Sequence, residues 1–209
     1  YYIFLINIIK MKRLLYLLIL INTYLFSEEN KPKLIIGLIV DQMRYDYINR
    51  FWDDFSDGGF KKIKLSGFNC KNASFRFIPT YTGPGHATIF TGTNPKNHGI
   101  IANNWYERDS NDYIYCVGDD QFKTIGSDNN SGKKSPRKML TSTFGDELRL
   151  SSMFRSKVIG ISLKDRAAIL TAGHTANYAL WLDSESGNFV TSSYYTSKLP
   201  VWLENFNNE

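Results

Sequence analysis

Two short apolar runs set the strongest limit on how this chain can fold. Residues 34–40 read LIIGLIV and follow a lysine–proline pair, and residues 157–162 read KVIGIS. Runs that are apolar at nearly every position are typical of strands buried on both faces, as in parallel sheets covered by helices on each side. We therefore predict an α/β fold with a mostly parallel central sheet flanked by helices.

The remaining segments alternate between helical and extended patterns. Apolar spacing and breaker residues predict helices over residues 44–55, 85–91, 141–153 and 165–172, and a last helix that begins at Pro200. Extended segments are predicted over residues 68–77 and 113–117, and a hairpin through Ser186 and Gly187 is predicted to join residues 177–183 to 188–192. This alternation favours the α/β class, and no internal repeat or linker divides the chain.

The first 27 residues have the pattern of an export signal preceded by extra residues. Residues 11–27 combine Lys12 and Arg13, an apolar core and a polar exit, which is typical of a secretory signal peptide. The core is short for a membrane span, although a retained N-terminal anchor is the alternative. Residues 1–10 precede Met11 and are interpreted as upstream read-through. We expect a periplasmic or secreted protein with no stable membrane span after signal removal.

The charge pattern argues against a nucleic-acid partner. The formal net charge is +5, but residues 1–27 carry three positive charges and no negative ones, so the remainder is close to balance. The basic cluster at residues 133–138 follows a stretch rich in serine, asparagine and glycine and is interpreted as a solvated loop. Cys70 and Cys116 could pair in an exported protein or remain free thiols, and their spacing does not decide between the two.

Thr82 precedes a Gly-Pro-Gly sequence at a predicted helix start. One interpretation is structural, because threonine is a good N-cap and proline is favoured in the first helical turn. The other is chemical. A hydroxyl group at the positive end of a helix dipole forms an alkoxide more easily, and a bound anion is stabilised there.

Four further polar side chains follow predicted strands or helices, and each has two interpretations. Asp41 ends the first apolar run, where it could bind a divalent metal ion or cap the next helix. Lys164 and Arg166 follow the second run, where two cations suit a phosphoryl group but could also pair with Asp165 or with surface carboxylates. Asn103 could donate its amide to a substrate oxygen or serve as a turn residue.

Taken together, three motifs resemble a known family. They are DQMRYDY at 41–47, PTYTGPGHATIFTGTNPKNHGIIANNWY at 79–106 and SLKDRAAILTAG at 162–173. In order and context they resemble the alkaline phosphatase superfamily, in its type I phosphodiesterase/nucleotide pyrophosphatase branch. Within that branch the chain is most similar to bacterial exported alkaline phosphatases of the phosphate-irrepressible type. The resemblance runs from about Lys33 to the end and implies an alkaline phosphatase-like α/β fold.

The resemblance also implies an activity and a set of roles. It implies zinc-dependent hydrolysis of phosphate monoesters through a phosphothreonine intermediate, with two zinc ions. Thr82 would be the nucleophile, and Asp41 and Thr82 would bind one of the zinc ions. Asn103 would hydrogen-bond a phosphoryl oxygen, while Lys164 and Arg166 would engage the phosphoryl group from the other side. The partners would be small-molecule phosphate esters.

The expected site is incomplete in this chain. The sequence holds three histidines, His86, His98 and His174, and each is interpreted as structural. The remaining zinc ligands are expected in a later part of a longer chain, so residues 33–209 are interpreted as the N-terminal portion of a catalytic domain whose fold is incomplete at the C-terminus. This portion alone is expected to be inactive. The alternatives are a phosphodiesterase or nucleotide pyrophosphatase of the same superfamily, or a non-catalytic truncated fragment.

Overall fold

The computed structural model describes residues 32–209, and its contacts divide the chain into two units, residues 1–47 and 48–209. The predicted signal peptide and the residues before it lie outside the described residues. No helix within residues 32–209 combines the length and the apolar character that a membrane crossing requires.

In the first unit, the strand predicted over residues 34–40 is not formed. These residues have no regular secondary structure, and the chain turns at Asp41 and Gln42, where Gln42 has a φ of 60°. The prediction was wrong here because apolar composition favours burial, whereas a strand also needs a neighbouring strand to accept and donate backbone hydrogen bonds.

Of the four helices predicted with both bounds, two are shorter than predicted, one matches and one begins earlier. Their bounds are Tyr47–Arg50 (α1), Gly59–Ser66 (α2), Thr82–Thr91 (α3), Pro95–His98 (α4), Phe144–Ser151 (α5), Asp165–Ala172 (α6) and Val201–Asn207 (α7). The prediction for residues 165–172 is confirmed at both ends, and the last helix follows Pro200 as predicted. The helix predicted over residues 44–55 is reduced to α1, and α2 was not predicted.

The strands form a separate hairpin and one mixed sheet. Their bounds are Asn104–Glu107 (β1), Asp112–Tyr115 (β2), Thr124–Ile125 (β3), Ile159–Ser162 (β4), Tyr178–Leu182 (β5) and Phe189–Ser192 (β6). Strands β1 and β2 pair antiparallel, and the sheet has the order β3-β6-β5-β4. The extended segment predicted over residues 68–77 forms no strand.

Chain connections explain why the described sheet is mixed rather than mostly parallel. Helix α6 crosses from β4 to β5, which allows these two strands to lie parallel. The predicted hairpin is confirmed: β5 returns directly into β6 through a turn at Gly187, which has a φ of 75°, so this pair is antiparallel. Strand β3 also pairs antiparallel with β6.

The main hydrophobic core lies between the helices and the sheet, and a second, smaller cluster of buried side chains includes Leu180 and Leu203. Helix α3 packs against α6, and α6 packs on β4 and β5. Gly160 permits this close packing, because a methyl group there would lie 2.5 Å from the carbonyl oxygen of Ala168. The largest fully buried apolar side chains of this core include those of Ile100, Met139, Ile169 and Leu170. The N-terminal ends of α3 and α6 are therefore carried by a single packed core.

A buried carboxylate fixes the start of α5 to the segment that follows α6. Asp146 is 2% exposed and accepts five hydrogen bonds: from the backbone N–H and hydroxyl groups of Thr143, from the N–H of His174, and from the N–H and hydroxyl groups of Thr175. Thr143 in turn accepts from the N–H of Asp146, which completes a capping box. This box explains why the helix predicted from residue 141 begins only at Phe144.

The basic cluster at residues 133–138 is anchored to the core rather than solvated along its length. Ser135 is 2% exposed, its N–H donates to the carbonyl oxygen of Val117, and its hydroxyl group donates to Asp119. Arg137 lies 3.5 Å from the same carboxylate, and the ammonium group of Lys134 lies 5.5 Å from the centre of the Tyr115 ring. The segment forms no helix or strand, as a loop prediction requires, but its backbone is held against residues 117–119, which follow β2.

Candidate active site

Helix α3 begins at Thr82, three residues earlier than predicted. Tyr81 is the N-cap and makes no side-chain cap, so Thr82 is the first helical residue and the capping interpretation of its hydroxyl group is not supported. The Gly-Pro-Gly sequence forms the first turn of the helix. Proline is tolerated there because the first N–H groups of a helix have no partner within it. Thr82 is therefore half-buried at the positive end of a ten-residue helix.

Asn103 is hydrogen-bonded to the residue next to Thr82. The N–H of Gly83 donates to Oδ1 of Asn103 at 2.7 Å. This bond sets the orientation of the amide, because the oxygen must face the helix and the NH₂ group is directed to other acceptors. A methyl group on Gly83 would lie 3.1 Å from that oxygen and 3.2 Å from the carbonyl oxygen of Ala102. Glycine thus allows the helix start and Asn103 to approach closely.

The base of the β1–β2 hairpin connects Asn103 to Tyr115. The N–H of Cys116 donates to the carbonyl oxygen of Asn103 at 2.9 Å, and Asn104 lies opposite Tyr115 in the ladder. Tyr115 donates its hydroxyl proton to Oδ1 of Asp165 at 2.5 Å and accepts from Nη1 of Arg166 at 3.2 Å. The hairpin base therefore joins the start of α3 to the start of α6.

Arg166 is half-buried and keeps its charge. The alternative interpretation, an ion pair with Asp165 or a surface carboxylate, is not supported: within residues 32–209 no carboxylate forms a salt bridge with Arg166, and Asp165 accepts from its backbone N–H instead. Burial opposes the charge, but the bond to Tyr115 and the nearby carboxylate of Asp165 outweigh it and raise the pKa of Arg166. Its Nε is buried and has no hydrogen-bond partner among the described residues.

Lys164 is the N-cap residue of α6, at the end of the loop that leaves β4. Its side chain is exposed and makes no cap, and none of the salt bridges of the described residues includes it. The alternative interpretation, a pair with Asp165 or another carboxylate, is therefore not supported in this part of the chain. Lys164 and Arg166 lie on either side of Asp165 at the start of one helix.

Asp41 lies in the other unit of the chain. Its Oδ1 accepts from the N–H of Gln42 at 3.1 Å, and the next helix, α1, begins only at Tyr47. Asp41 is thus not the cap of that helix, which removes the structural alternative. The structure brings Thr82, Asn103, Lys164 and Arg166 into one unit and does not include Asp41 in it.

Two of the histidines have structural roles, as the sequence indicates. Nδ1 of His86 lies 2.8 Å from the carbonyl oxygen of Thr82, so this nitrogen carries the proton. His98 is fully buried; its Nδ1 accepts from the N–H of Ile100 and its Nε2 lies 3.0 Å from the hydroxyl oxygen of Thr88. Burial lowers the pKa of His98, which keeps this ring neutral.

The two cysteines are free thiols. Cys70 is exposed, whereas Cys116 is buried. Sγ of Cys116 would lie 3.4 Å from a methyl group on Gly83, so this thiol packs beneath the start of α3. Burial raises the pKa of Cys116 to about 12, with a smaller contribution from the nearby carboxylate of Asp165. Cys116 is therefore protonated at neutral pH, and a protonated thiol is a poor nucleophile.

Tyr115 is the part of the site that the sequence did not indicate, and Asp165 was considered there only as an ion-pair partner. A tyrosine within a predicted strand has no spacing that relates it to residues 50 positions later. Burial raises the pKa of Tyr115, with a smaller contribution from the carboxylate of Asp165. The hydroxyl group therefore stays neutral and can donate one hydrogen bond while it accepts another.

The described residues do not form a complete metal site. The carboxylate of Asp41 and the hydroxyl group of Thr82 are oxygen donors of a kind that divalent metal ions bind. Within residues 32–209, however, no group of three or more histidine, cysteine, aspartate or glutamate side chains could hold a metal ion. These residues alone therefore do not fit a complete zinc centre, and two zinc ions would require further ligands.

Known proteins resemble this chain over most of its length. The family model for type I phosphodiesterase / nucleotide pyrophosphatase matches residues 35–209. Alkaline phosphatase PhoV of Synechococcus elongatus is 46% identical over 177 residues, which cover 85% of this chain and 32% of the relative. Alkaline phosphatase PafA of Elizabethkingia meningoseptica is 45% identical over 180 residues, which cover 86% of this chain and 33% of the relative.

The crystal structure of wild-type PafA has a similar fold. It matches with a TM-score of 0.84 and 45% identity, over 85% of this chain and 34% of that chain. The predicted alkaline phosphatase-like α/β fold is thereby confirmed over the matched part, and the chain spans about a third of the length of these relatives. Because the family model covers most of the sequence, the chain belongs to the type I phosphodiesterase/nucleotide pyrophosphatase family.

Proposed function

We propose that residues 33–209 form the N-terminal portion of the catalytic domain of an exported bacterial alkaline phosphatase, which hydrolyses phosphate monoesters through a phosphothreonine. The observation that carries the proposal is the bond from Gly83 to Asn103, which fixes an amide donor beside Thr82 at a helix start. Two of the similar proteins are named alkaline phosphatases, which supports the same activity. The substrates would be small-molecule phosphate esters, with no nucleic-acid partner.

Thr82 is the proposed nucleophile. Its Oγ1 attacks the phosphorus in line with the leaving oxygen, so that the Oγ1–P bond forms while the bond to the leaving oxygen breaks. The hydroxyl proton passes to water, and the leaving group departs as an alkoxide or phenolate that water can protonate. The helix start favours negative charge at this position. Water then attacks the phosphothreonine, which releases inorganic phosphate and restores the hydroxyl group of Thr82.

Three side chains are proposed to bind the non-bridging oxygens. The NH₂ group of Asn103 donates to one oxygen, because its Oδ1 is already occupied by Gly83. Arg166 offers a planar guanidinium group and Lys164 a point charge, from the start of α6. A phosphate monoester carries one more anionic oxygen than a diester, so two cations suit the monoester better.

We propose that two zinc ions take part, with Asp41 and Thr82 among their ligands and the other ligands outside the described residues. When bound, zinc would supply Lewis-acid stabilisation of the phosphoryl group.

The test of the nucleophile uses the complete enzyme that contains this chain. We expect Thr82→Ala to lower kcat/KM for p-nitrophenyl phosphate about 1,000-fold or more, and Thr82→Ser to retain much of the activity. Thr80→Ala is the matched control, because Thr80 is exposed and lies two residues away. Mass spectrometry of the quenched enzyme should place phosphate on Thr82. Phosphate on another side chain, or full activity of Thr82→Ala, would refute the proposal.

The family description favours one second candidate, a phosphodiesterase or nucleotide pyrophosphatase. The two candidates differ in the expected effect of the cations at α6. For a monoesterase, Lys164→Ala and Arg166→Ala should lower kcat/KM for a phosphate monoester more than for a methyl diester of the same leaving group. Equal losses on the two substrates would favour the diesterase.

A further inference from the structure

We propose that Tyr115 and Asp165 are positioning residues that hold the guanidinium group of Arg166 in place for a dianionic phosphoryl group. The inference rests on the proposed function of Arg166. It adds two side chains that reach the phosphoryl group only through that arginine.

The three residues form a closed set of hydrogen bonds. Nη1 of Arg166 donates to the hydroxyl oxygen of Tyr115 at 3.2 Å, and Tyr115 donates to Oδ1 of Asp165 at 2.5 Å. The same Oδ1 accepts from the backbone N–H of Arg166 at 2.7 Å. Because the hydroxyl proton of Tyr115 is directed at the carboxylate, its lone pair must face the guanidinium group. The set therefore has one consistent arrangement of donors and acceptors.

This arrangement holds the arginine without neutralising it. Asp165 forms no salt bridge with the guanidinium group among the described residues, since the tyrosine hydroxyl group lies between them. The guanidinium group also keeps a buried Nε that has no partner in the described part of the chain. A long side chain that is fixed before the anion arrives loses less freedom on binding than a mobile one. Arg166 is thus held in place with donors and charge still available.

Tyr115 is itself well fixed. Its backbone belongs to the β1–β2 ladder opposite Asn104, and the ammonium group of Lys134 lies 5.5 Å from its ring centre. The loop that carries Lys134 is held by Ser135 on the core. The position of the tyrosine hydroxyl group is therefore set by the hairpin rather than by Arg166, which is what a positioning residue requires.

The test is a double-mutant cycle in the complete enzyme. Tyr115→Phe removes the hydroxyl group and keeps the ring, and we expect kcat/KM for p-nitrophenyl phosphate to fall about 10- to 100-fold, with a much smaller loss for a methyl diester. In an Arg166→Ala background, Tyr115→Phe should have almost no further effect. Tyr113→Phe is the control, because this tyrosine of the same strand is 75% exposed and contacts Tyr106 through its ring. Affinity for inorganic phosphate should weaken in parallel with kcat/KM.

The outcomes separate this inference from the function on which it rests. If Arg166→Ala leaves monoester hydrolysis unchanged, the proposed role of Arg166 fails. Suppose that Arg166→Ala lowers monoester hydrolysis. If Tyr115→Phe then has no effect, or if it lowers activity by the same factor with and without Arg166, the positioning role is overturned and the proposed function stands. A loss of equal size on the monoester and the diester would also overturn it, because a merely structural defect affects both.

Discussion

Replacing Asp146 by asparagine should destabilise the fold strongly although it changes neither size nor shape. The two carboxylate oxygens accept three bonds from Thr143 and His174 on one side and two from Thr175 on the other. An asparagine can keep one of these oxygens. Its NH₂ group must then face at least two donors, and at least two bonds to a charged acceptor are lost.

The magnitude follows from these lost bonds. Hydrogen bonds to charged groups contribute about 1.5–3 kcal/mol each, so the loss of two costs about 3–6 kcal/mol. Removal of a buried charge returns part of this amount. We therefore expect the free energy of unfolding to fall by about 2–4 kcal/mol, and Tm to fall by about 5–15 °C for a domain of this size.

The stabilisation by Asp146 should depend on pH in a definite direction. Burial opposes ionisation of Asp146, but the hydrogen bonds from Thr143, Thr175 and His174 together lower the pKa of this carboxyl group. The stabilisation is therefore complete above the unfolded value of about 3.9 and is lost as the pH falls from there through the folded value. The difference between wild type and Asp146→Asn should be constant at neutral pH and shrink below pH about 4.

Calorimetry can measure the predicted loss of global stability in Asp146→Asn, and hydrogen exchange can measure the loss of local protection. In the complete protein, the amides of Thr143, His174 and Thr175 should lose protection in Asp146→Asn together with the drop in Tm. Asp128→Asn is the matched control, because Asp128 is exposed, and it should change the free energy of unfolding by less than about 0.5 kcal/mol. A loss below that value in Asp146→Asn, or one that does not change between pH 6 and pH 2, would refute the reasoning.

Three more expectations concern His98, Gly83 and the chain by itself. Burial lowers the pKa of His98 from its ordinary 6.5, so as the pH falls the unfolded state binds the proton before the folded state does, and stability should fall below pH about 6.5. In His98→Gln, Tm should therefore change less between pH 8 and pH 5 than in the wild type. Equal changes of Tm with pH in the two proteins would contradict this expectation. Gly83→Ala should lower kcat/KM for a phosphate monoester about 10-fold or more, because its methyl group would lie 3.1 Å from Oδ1 of Asn103. Gly58→Ala is the control and should have no effect, because a methyl group there meets no atom within 4 Å. Equal kcat/KM values for the two variants would contradict the proposed role of the contact between Gly83 and Asn103. The 209-residue chain alone should show no zinc-dependent hydrolysis of p-nitrophenyl phosphate, and turnover that Thr82→Ala abolishes would show this expectation to be wrong.

Local sequence signals predicted the elements that depend on local chemistry. Helix α6 has the predicted bounds because it ends at a glycine with a φ of 85°, a conformation that favours glycine. The β5–β6 hairpin formed where Ser186 and Gly187 indicated a turn. The start of α3 lies three residues before the predicted start, because the whole Gly-Pro-Gly sequence fits within its first turn.

Features that depend on distant partners were harder to predict. The apolar run at residues 34–40 contains no information about which strand would pair with it. The motifs suggested Asn103 and Arg166 through family resemblance, but the contact between Tyr115 and Arg166 joins positions 51 apart. Such a contact is set by the way the hairpin packs near α6, and no spacing rule along the chain encodes it.

The β1–β2 hairpin connects two of the side chains that we propose to bind the phosphoryl group, Asn103 and, through Tyr115, Arg166. Asn103 precedes its first strand and Tyr115 ends its second, while the tip around Ser110 and Asn111 is exposed. A tilt of this ribbon would displace the amide directly and the guanidinium group through the tyrosine. Insertions at the tip should leave the spacing of the two groups intact, so the tip is a suitable point for grafting a reporter.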